Sequence, residues 1–361
     1  MTDDPDDSDG EKGFYEALLE KKEEVRKRQT YPLVINSDQL SWRDNPQARV
    51  KFYSNFQKED AVLPEMMIFR ERLFDKSGRH THQGGVPIFI LEGEGKTYID
   101  GETVDWKAGD LVTLPIKPGG VTHQHYNRRD KDNPAEWIAM AYMPFQWWMG
   151  GQLTQNETYD DWDDDANPIT SDTDGDDISE HFKEFQYSDW VDYESPDEFE
   201  TLYDHLIDQR NQFRKQMAKA QEAGKWGKIE GDTVDWEWTP QGKIKWYLHP
   251  ALDDVTVRTL LYSMQEIPPE SRSGKQHRQG GAVYYILEGM GCTVVNGERN
   301  EWSKKDLVTL PVRTDGVTVQ HFNLSSDNPA KFLRVEPAML HVLGYDMGAG
   351  FVQLENCPEY D

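Results

Sequence analysis

The sequence predicts an all-β protein with a few helices, built as two antiparallel β-barrels in tandem. Two observations carry that expectation. The first is an internal repeat at an offset of 196 residues: RHTHQGGVPIFILEGEG at 79–95 lies over KQHRQGGAVYYILEGMG at 275–291 without a gap. The match continues through Trp106 and Trp302, through DLVTLP at 110–115 and 306–311, and through VTHQHYN at 121–127 over VTVQHFN at 317–323. The second is the texture inside each copy. Short runs of Ile, Val, Leu, Tyr and Phe are divided about every eight to twelve residues by Gly, Pro, Asn and Asp, the pattern of a sandwich or barrel. A length of 361 residues leaves room for about two domains, each able to bury a core.

The elements follow in order. Residues 1–40 form a helical arm, because Phe14, Leu18 and Val25 fall near one face of 11–29, which is expected to pack. Residues 41–150 are the first barrel, entered at Trp42, and 237–361 the second, entered near Trp238. Between them, 151–236 holds an acidic linker and a helix. The run 159–177 is rich in carboxylates but lacks the ligand order of an EF-hand calcium loop, so it reads as a solvated linker. Over 196–223, Phe199, Leu202, Leu206, Phe213 and Met217 recur at helical spacing. Ser195-Pro196-Asp197-Glu198 looks like a capping box at the start, and Gly224 is the stop.

Composition excludes several classes. A net charge of −27 repels phosphate backbones and anionic membrane surfaces, so no nucleic-acid or membrane partner is expected. The longest apolar stretch, Trp137 to Phe145, is about half of what a bilayer span needs. The opening MTDDPDDSDG lacks the basic and apolar parts of a secretory signal, and the only cysteines are Cys292 and Cys357, which together suit a reducing cytoplasm. Gly93-Glu94-Gly95-Lys96-Thr97 resembles the end of a phosphate-binding loop, yet Ile90 stands where that motif needs glycine.

The chemistry lies in His80-x-His82 and His123-x-His125. Residues two apart on a strand face the same side, so His80 and His82 form a two-point clamp, and His123 is delivered from a neighbouring strand. Three imidazoles on one side leave other coordination positions free, which suits a divalent transition metal that binds substrate and oxygen together. Gly78-x-His80-x-His82 with Gly93 downstream, and Pro118-x-Gly120-x-x-His123-x-x-x-Asn127, resemble the two motifs of the cupin superfamily. Val86 and Pro87 replace the glutamate usual after the first motif. A three-histidine site of this kind resembles the gentisate 1,2-dioxygenase and salicylate dioxygenase group of bicupins. That resemblance implies two double-stranded β-helix (jelly-roll) barrels and one Fe(2+) per chain, in the N-terminal barrel. It further implies ring cleavage of a gentisate- or salicylate-like hydroxylated aromatic with O2. Oxidation of a β-diketone or other enolisable compound, and non-catalytic binding of a small molecule, are the alternatives. A homo-oligomer is expected.

The second copy serves as an internal control. Gln276, Arg278 and Val319 stand where His80, His82 and His123 stand in the first, so metal is expected in the first barrel only. Glu92 has a twin in Glu288 and reads as structural. His125 has a twin in His321; by resemblance it reaches substrate or oxygen, and the other reading is a histidine satisfying the barrel lip in both copies. The relatives place an arginine where Ile88 lies. Arg70 and Arg72, two apart on the preceding strand, are the substitute candidates for an anion clamp if they face the barrel, and surface residues if they do not. Gln83 and Trp106 are further substrate-binding candidates, although their twins Gln279 and Trp302 point to a structural role. Trp147-Trp148 has no twin and is expected either to wall the pocket or to pack in the core.

Overall fold

The computed structural model describes residues 13–117, 119–162, 194–339 and 350–360. Each copy of the repeat forms a seven-stranded and a five-stranded antiparallel sheet laid face to face. In the first barrel the five-stranded sheet runs Leu153–Glu157, Arg79–His82, Val121–Asn127, Glu94–Ile99, Glu102–Lys107. The strands Pro87–Glu92, Ala135–Tyr142, Met66–Leu73 and Arg49–Ser54 lie side by side in the other sheet. The second barrel repeats this order strand for strand. Its last edge strand, Phe351–Glu355, corresponds to Leu153–Glu157, so the first barrel extends past the expected boundary at 150.

The two seven-stranded sheets pack against each other across a shared apolar layer. Tyr53, Met66, Ile68 and Phe89 of one meet Tyr247, Tyr262, Tyr285 and Leu333 of the other. Tyr53 meets Tyr285 edge-on at 5.8 Å between ring centroids, and Phe89 meets Tyr247 at 5.7 Å. Such aromatic pairs contribute about 0.5–1.5 kcal/mol beyond their buried area. The barrels also exchange edges. Val34–Ile35, from the arm before the first barrel, pairs with Leu307–Val308 of the second, and Lys228–Ile229, from before the second, pairs with Leu111–Val112 of the first. The repeated aspartate of DLVTLP secures both exchanges: Asp306 accepts the Ser37 N–H at 2.9 Å and Asp110 the Gly231 N–H at 3.0 Å. Survival of that motif in both copies thus has a structural cause.

Two expectations about the helices need correction. The arm helix, Phe14–Arg28, buries none of its residues; Phe14 is 80 % exposed, and the attachment is an ion pair from Arg28 to Glu65 at 2.8 Å. The second helix runs Leu202–Glu222, six residues later than the Ser195 box suggests. Thr201 and Asp204 form the actual capping box, with the Thr201 N–H donating to Asp204 at 2.7 Å. Its apolar residues Leu202, Leu206 and Phe213 are exposed. The helix is held instead by Gln216, whose amide donates to the Leu252 and Val255 carbonyls. Most of the acidic run 159–177 lies outside the described residues; Tyr159, at its start, is buried and donates to Asp44 at 2.8 Å.

Candidate metal centre

The strand pairing brings the clamp together. Arg79–His82 runs antiparallel to Val121–Asn127 with His123 directly opposite His80, and alternation turns His80, His82 and His123 to the same side. The next turn is fixed by Gly84, which has φ +82°, and where a Cβ would lie 2.1 Å from the Pro115 carbonyl oxygen. Its twin Gly280 meets the Pro311 carbonyl in the same way. Only glycine passes so close in that conformation.

Among the described residues, one group of His, Cys, Asp or Glu side chains gathers with ligand geometry: His80, His82 and His123, whose ligand atoms all lie within 4.8 Å of one another. Metal–imidazole bonds of about 2.1 Å require nitrogens roughly 3–3.5 Å apart, so a small inward turn of the rings completes the site. Burial holds all three imidazoles neutral, with His80 pushed down to about 4, His82 to about 3 and His123 well below its ordinary value. Neutral rings keep a lone pair for a cation. Nδ1 of His80 lies 3.3 Å from the Gly78 carbonyl and Nδ1 of His123 lies 3.2 Å from that of Val121, an arrangement that places each ring proton there and frees Nε2. His82 differs, because its Nδ1 accepts the Gly84 N–H at 3.1 Å. Ligation through its Nε2 exchanges that bond for a proton on Nδ1. The donor set therefore fits one divalent transition metal, with His82 as the adjustable member.

His125 sits beside this clamp, 5.4 Å from the His123 ring and 4.8 Å from Trp137, and is also held neutral by burial, at about 3. Its Nδ1 lies 2.8 Å from the Thr97 hydroxyl, which accepts from Trp106 Nε1 at 2.9 Å. The hydroxyl has one proton of its own to give, so Nδ1 of His125 can accept from it, and in that tautomer the ring proton lies on Nε2. The second barrel repeats the chain with Trp302, Thr293 and His321. Trp106 is therefore a buried link that orients His125 rather than a substrate contact, a correction to its candidacy.

Arg70 and Arg72 require a larger correction. They do share a face, but it is the outer one, turned to the second barrel. Arg70 is buried there; both guanidiniums bind the Glu136 carboxylate, Arg72 Nε at 2.8 Å, and both lie over the Trp42 ring. The barrel side of that strand carries Met67, Phe69 and Leu73, all packed in the first-barrel core. Glu71 shares their side by alternation. Its Oε1 has no hydrogen-bond partner, and burial pushes its carboxyl up to about 8. Sequence reasoning missed this residue. Its twin Gln265 donates its amide to the Gln241 carbonyl at 2.6 Å, and the acid in place of an amide was the available signal. Gln83 is buried next to His82 with Oε1 unpartnered, as a group awaiting a ligand would be. Trp147 and Trp148 are exposed, Trp148 at 90 %, and are neither core nor buried wall. Glu92 points outward, 3.7 Å from Arg129, and Pro118 lies outside the described residues.

Two barrels of this topology with one three-histidine centre define a bicupin. The cupin domain family matches residues 74–141, which hold all four histidines. Gentisate 1,2 dioxygenase 1 of Aquipseudomonas alcaligenes is 23 % identical over 234 residues, 64 % of this chain and 59 % of the relative. The 5-aminosalicylate 1,2-dioxygenase of Comamonas sp. is 24 % identical over 264 residues, 72 % of this chain and 62 % of the relative. The chain thus spans about three fifths of the length of these curated relatives. Among solved structures, a variant of the salicylate 1,2-dioxygenase of Pseudoaminobacter salicylatoxidans in complex with gentisate covers 95 % of this chain and 96 % of its own, with a TM-score of 0.52 at 16 % identity. An oxalate decarboxylase variant from Bacillus subtilis covers 90 % of this chain and 80 % of its own, with a TM-score of 0.55 at 12 % identity. The chain has a bicupin fold, carries a cupin domain over residues 74–141, and resembles the gentisate 1,2-dioxygenase and salicylate dioxygenase group. Among the described residues no helix is long and apolar enough to cross a membrane.

Proposed function

We propose that the protein is an iron(II)-dependent ring-cleaving dioxygenase of a hydroxylated aromatic compound, with one iron in the first barrel. The observation that carries this reading is the convergence of three neutral imidazoles, two buried and His82 half-buried, with no carboxylate among the described residues of the group, in a chain similar to gentisate and aminosalicylate dioxygenases. His80, His82 and His123 would hold a divalent iron, which with three neutral ligands would keep its charge and supply a Lewis-acid site for a deprotonated substrate hydroxyl and for O2. His125, its Nε2–H directed away from Thr97, is placed to donate to an oxygen developing negative charge beside the clamp. Gln83 offers an amide to substrate. Met67, Phe69 and Trp137, packed in the same barrel interior, would keep water from the clamp.

One observation favours a second reading. Arg70 and Arg72 face away and Ile88 is apolar, so neither holds a substrate carboxylate; an enolisable diketone would need no such clamp. Anaerobic loading with Fe(II), followed by O2-uptake assays on gentisate, substituted salicylates, aminophenols and β-diketones, tests both. Uptake with loss of aromatic ultraviolet absorbance supports ring cleavage, release of small acid fragments from a diketone supports the second reading, and no uptake with any of them refutes both. A cytoplasmic location is supported by the free, buried Cys292 and Cys357. Assembly into a homo-oligomer is supported by the apolar residues left exposed on Phe14–Arg28.

A further inference from the structure

The second barrel lost its metal ligands but not its interior. A cavity of about 660 Å³ opens there, lined by Gln276, Arg278 and Gln279, the twins of His80, His82 and Gln83. That is the size of sites that enclose a small organic molecule. Arg278 is 9 % exposed and gives one guanidinium nitrogen, Nη2, to Glu336; its Nε and Nη1 have no hydrogen-bond partner. Arg334 donates to the other oxygen of the same carboxylate at 2.8 Å, and its Nε is also unpartnered. In the first barrel the positions of Arg334 and Glu336 are Ala139 and Ala141, so this polar group is an addition.

The charge count around the cavity is uneven. Glu336 is shared by two guanidiniums, and the other acid in the lining, Glu65, is paired with Arg28. His249, also in the lining, is pushed below its ordinary value by burial and is neutral near pH 7. One positive charge is left over, in a protein with a net charge of −27. A buried guanidinium with two idle N–H groups is costly unless an acceptor completes it. The Tyr284 hydroxyl lies beside the same guanidinium and can accept one N–H, but it supplies no carboxylate. The lining also presents Trp246, Leu261 and Phe351 as apolar surface, beside the uncharged polar side chains of Gln29, Thr239, Gln241 and Gln353.

We propose that the second barrel is a binding site for an organic monocarboxylate with an apolar body, held by Arg278 and Arg334 at the place where the first barrel gathers its three histidines. The carboxylate takes the unpartnered N–H groups and balances the surplus charge, and an aromatic ring fills the apolar part. This goes beyond the proposed chemistry of the first barrel and stands without it.

The test is calorimetric titration of the full chain with benzoate as the probe. One benzoate site per chain is expected to survive in the His80→Ala/His82→Ala protein. Arg278→Gln should weaken that site about ten- to a hundredfold, the loss of one charge-assisted bond, and the neutral analogue benzamide should fail to compete. Should Arg278→Gln fold poorly, Val312→Trp, at an exposed residue of the cavity lining, is expected to block the same site. Absence of binding at millimolar benzoate overturns the proposal. So does loss of all binding in His80→Ala/His82→Ala, or binding unchanged in both Arg278→Gln and Val312→Trp.

Discussion

Glu71→Gln should stabilise the protein, and increasingly so as pH rises. The carboxyl of Glu71 is buried, with Oε1 unpartnered, and its affinity for a proton rises from an ordinary 4.5 to about 8 on folding. An acid with a raised native value binds more protons folded than unfolded between those two limits, so its contribution to stability is most favourable below about pH 4.5 and is lost as pH rises through 8. At 1.36 kcal/mol per unit, that loss reaches roughly 3 kcal/mol at pH 7 and approaches about 5 kcal/mol above pH 9, both as upper limits. Glutamine has no charge to bury. It can also donate to the Gln47 carbonyl as Gln265 does to the equivalent Gln241 in the second barrel. Thermal denaturation of both proteins from pH 5 to 9, at matched metal content, should show a gap in Tm that is small at pH 5 and grows to the order of 5 °C or more by pH 9. A gap that does not change with pH, or a glutamine variant less stable at pH 9, would refute the placement of Glu71 as a buried, unpaired acid.

Other outcomes follow from the same geometry. His123→Ala should lose both metal and turnover, whereas His125→Gln should keep metal and lose turnover; metal analysis beside an activity assay separates the two, and the reverse pattern would mean that the ligands are misassigned. Glu136→Ala strands two guanidiniums at the barrel interface and should cost about 3–5 kcal/mol, read as a fall in the denaturation midpoint. Arg72→Ala, half-buried on that outer face, should leave KM unchanged, and a strongly raised KM would restore it as an anion clamp. Thiol titration of freshly denatured protein should find Cys292 and Cys357 both free, because neither is bridged in the fold.

The repeat made the tandem barrels legible, since a twin for almost every strand left little choice of architecture. The clamp was legible too, because His-x-His on a strand has one geometric consequence and the second copy showed what the barrel needs without metal. The strand Met66–Leu73 was harder. Arg70, Glu71 and Arg72 put polar groups on both faces, and alternation alone gives no phase. The outer face is buried against another domain, so its arginines are as hidden as core residues and the inner acid is the unusual one. The exchanged strands Val34–Ile35 and Lys228–Ile229 were invisible for a similar reason: two residues carry no periodicity, and their partners are about 270 and 115 residues away. Arg278 read as a lost ligand. Its significance depends on Glu336 and Arg334, which only the fold brings beside it.

The account rests on a metal centre that the first barrel has and the second lacks, and metal stoichiometry after anaerobic Fe(II) loading tests that most directly. The wild-type chain should retain one iron and the His80→Ala/His82→Ala chain none. Two metals per chain, or full retention in the double variant, would contradict it.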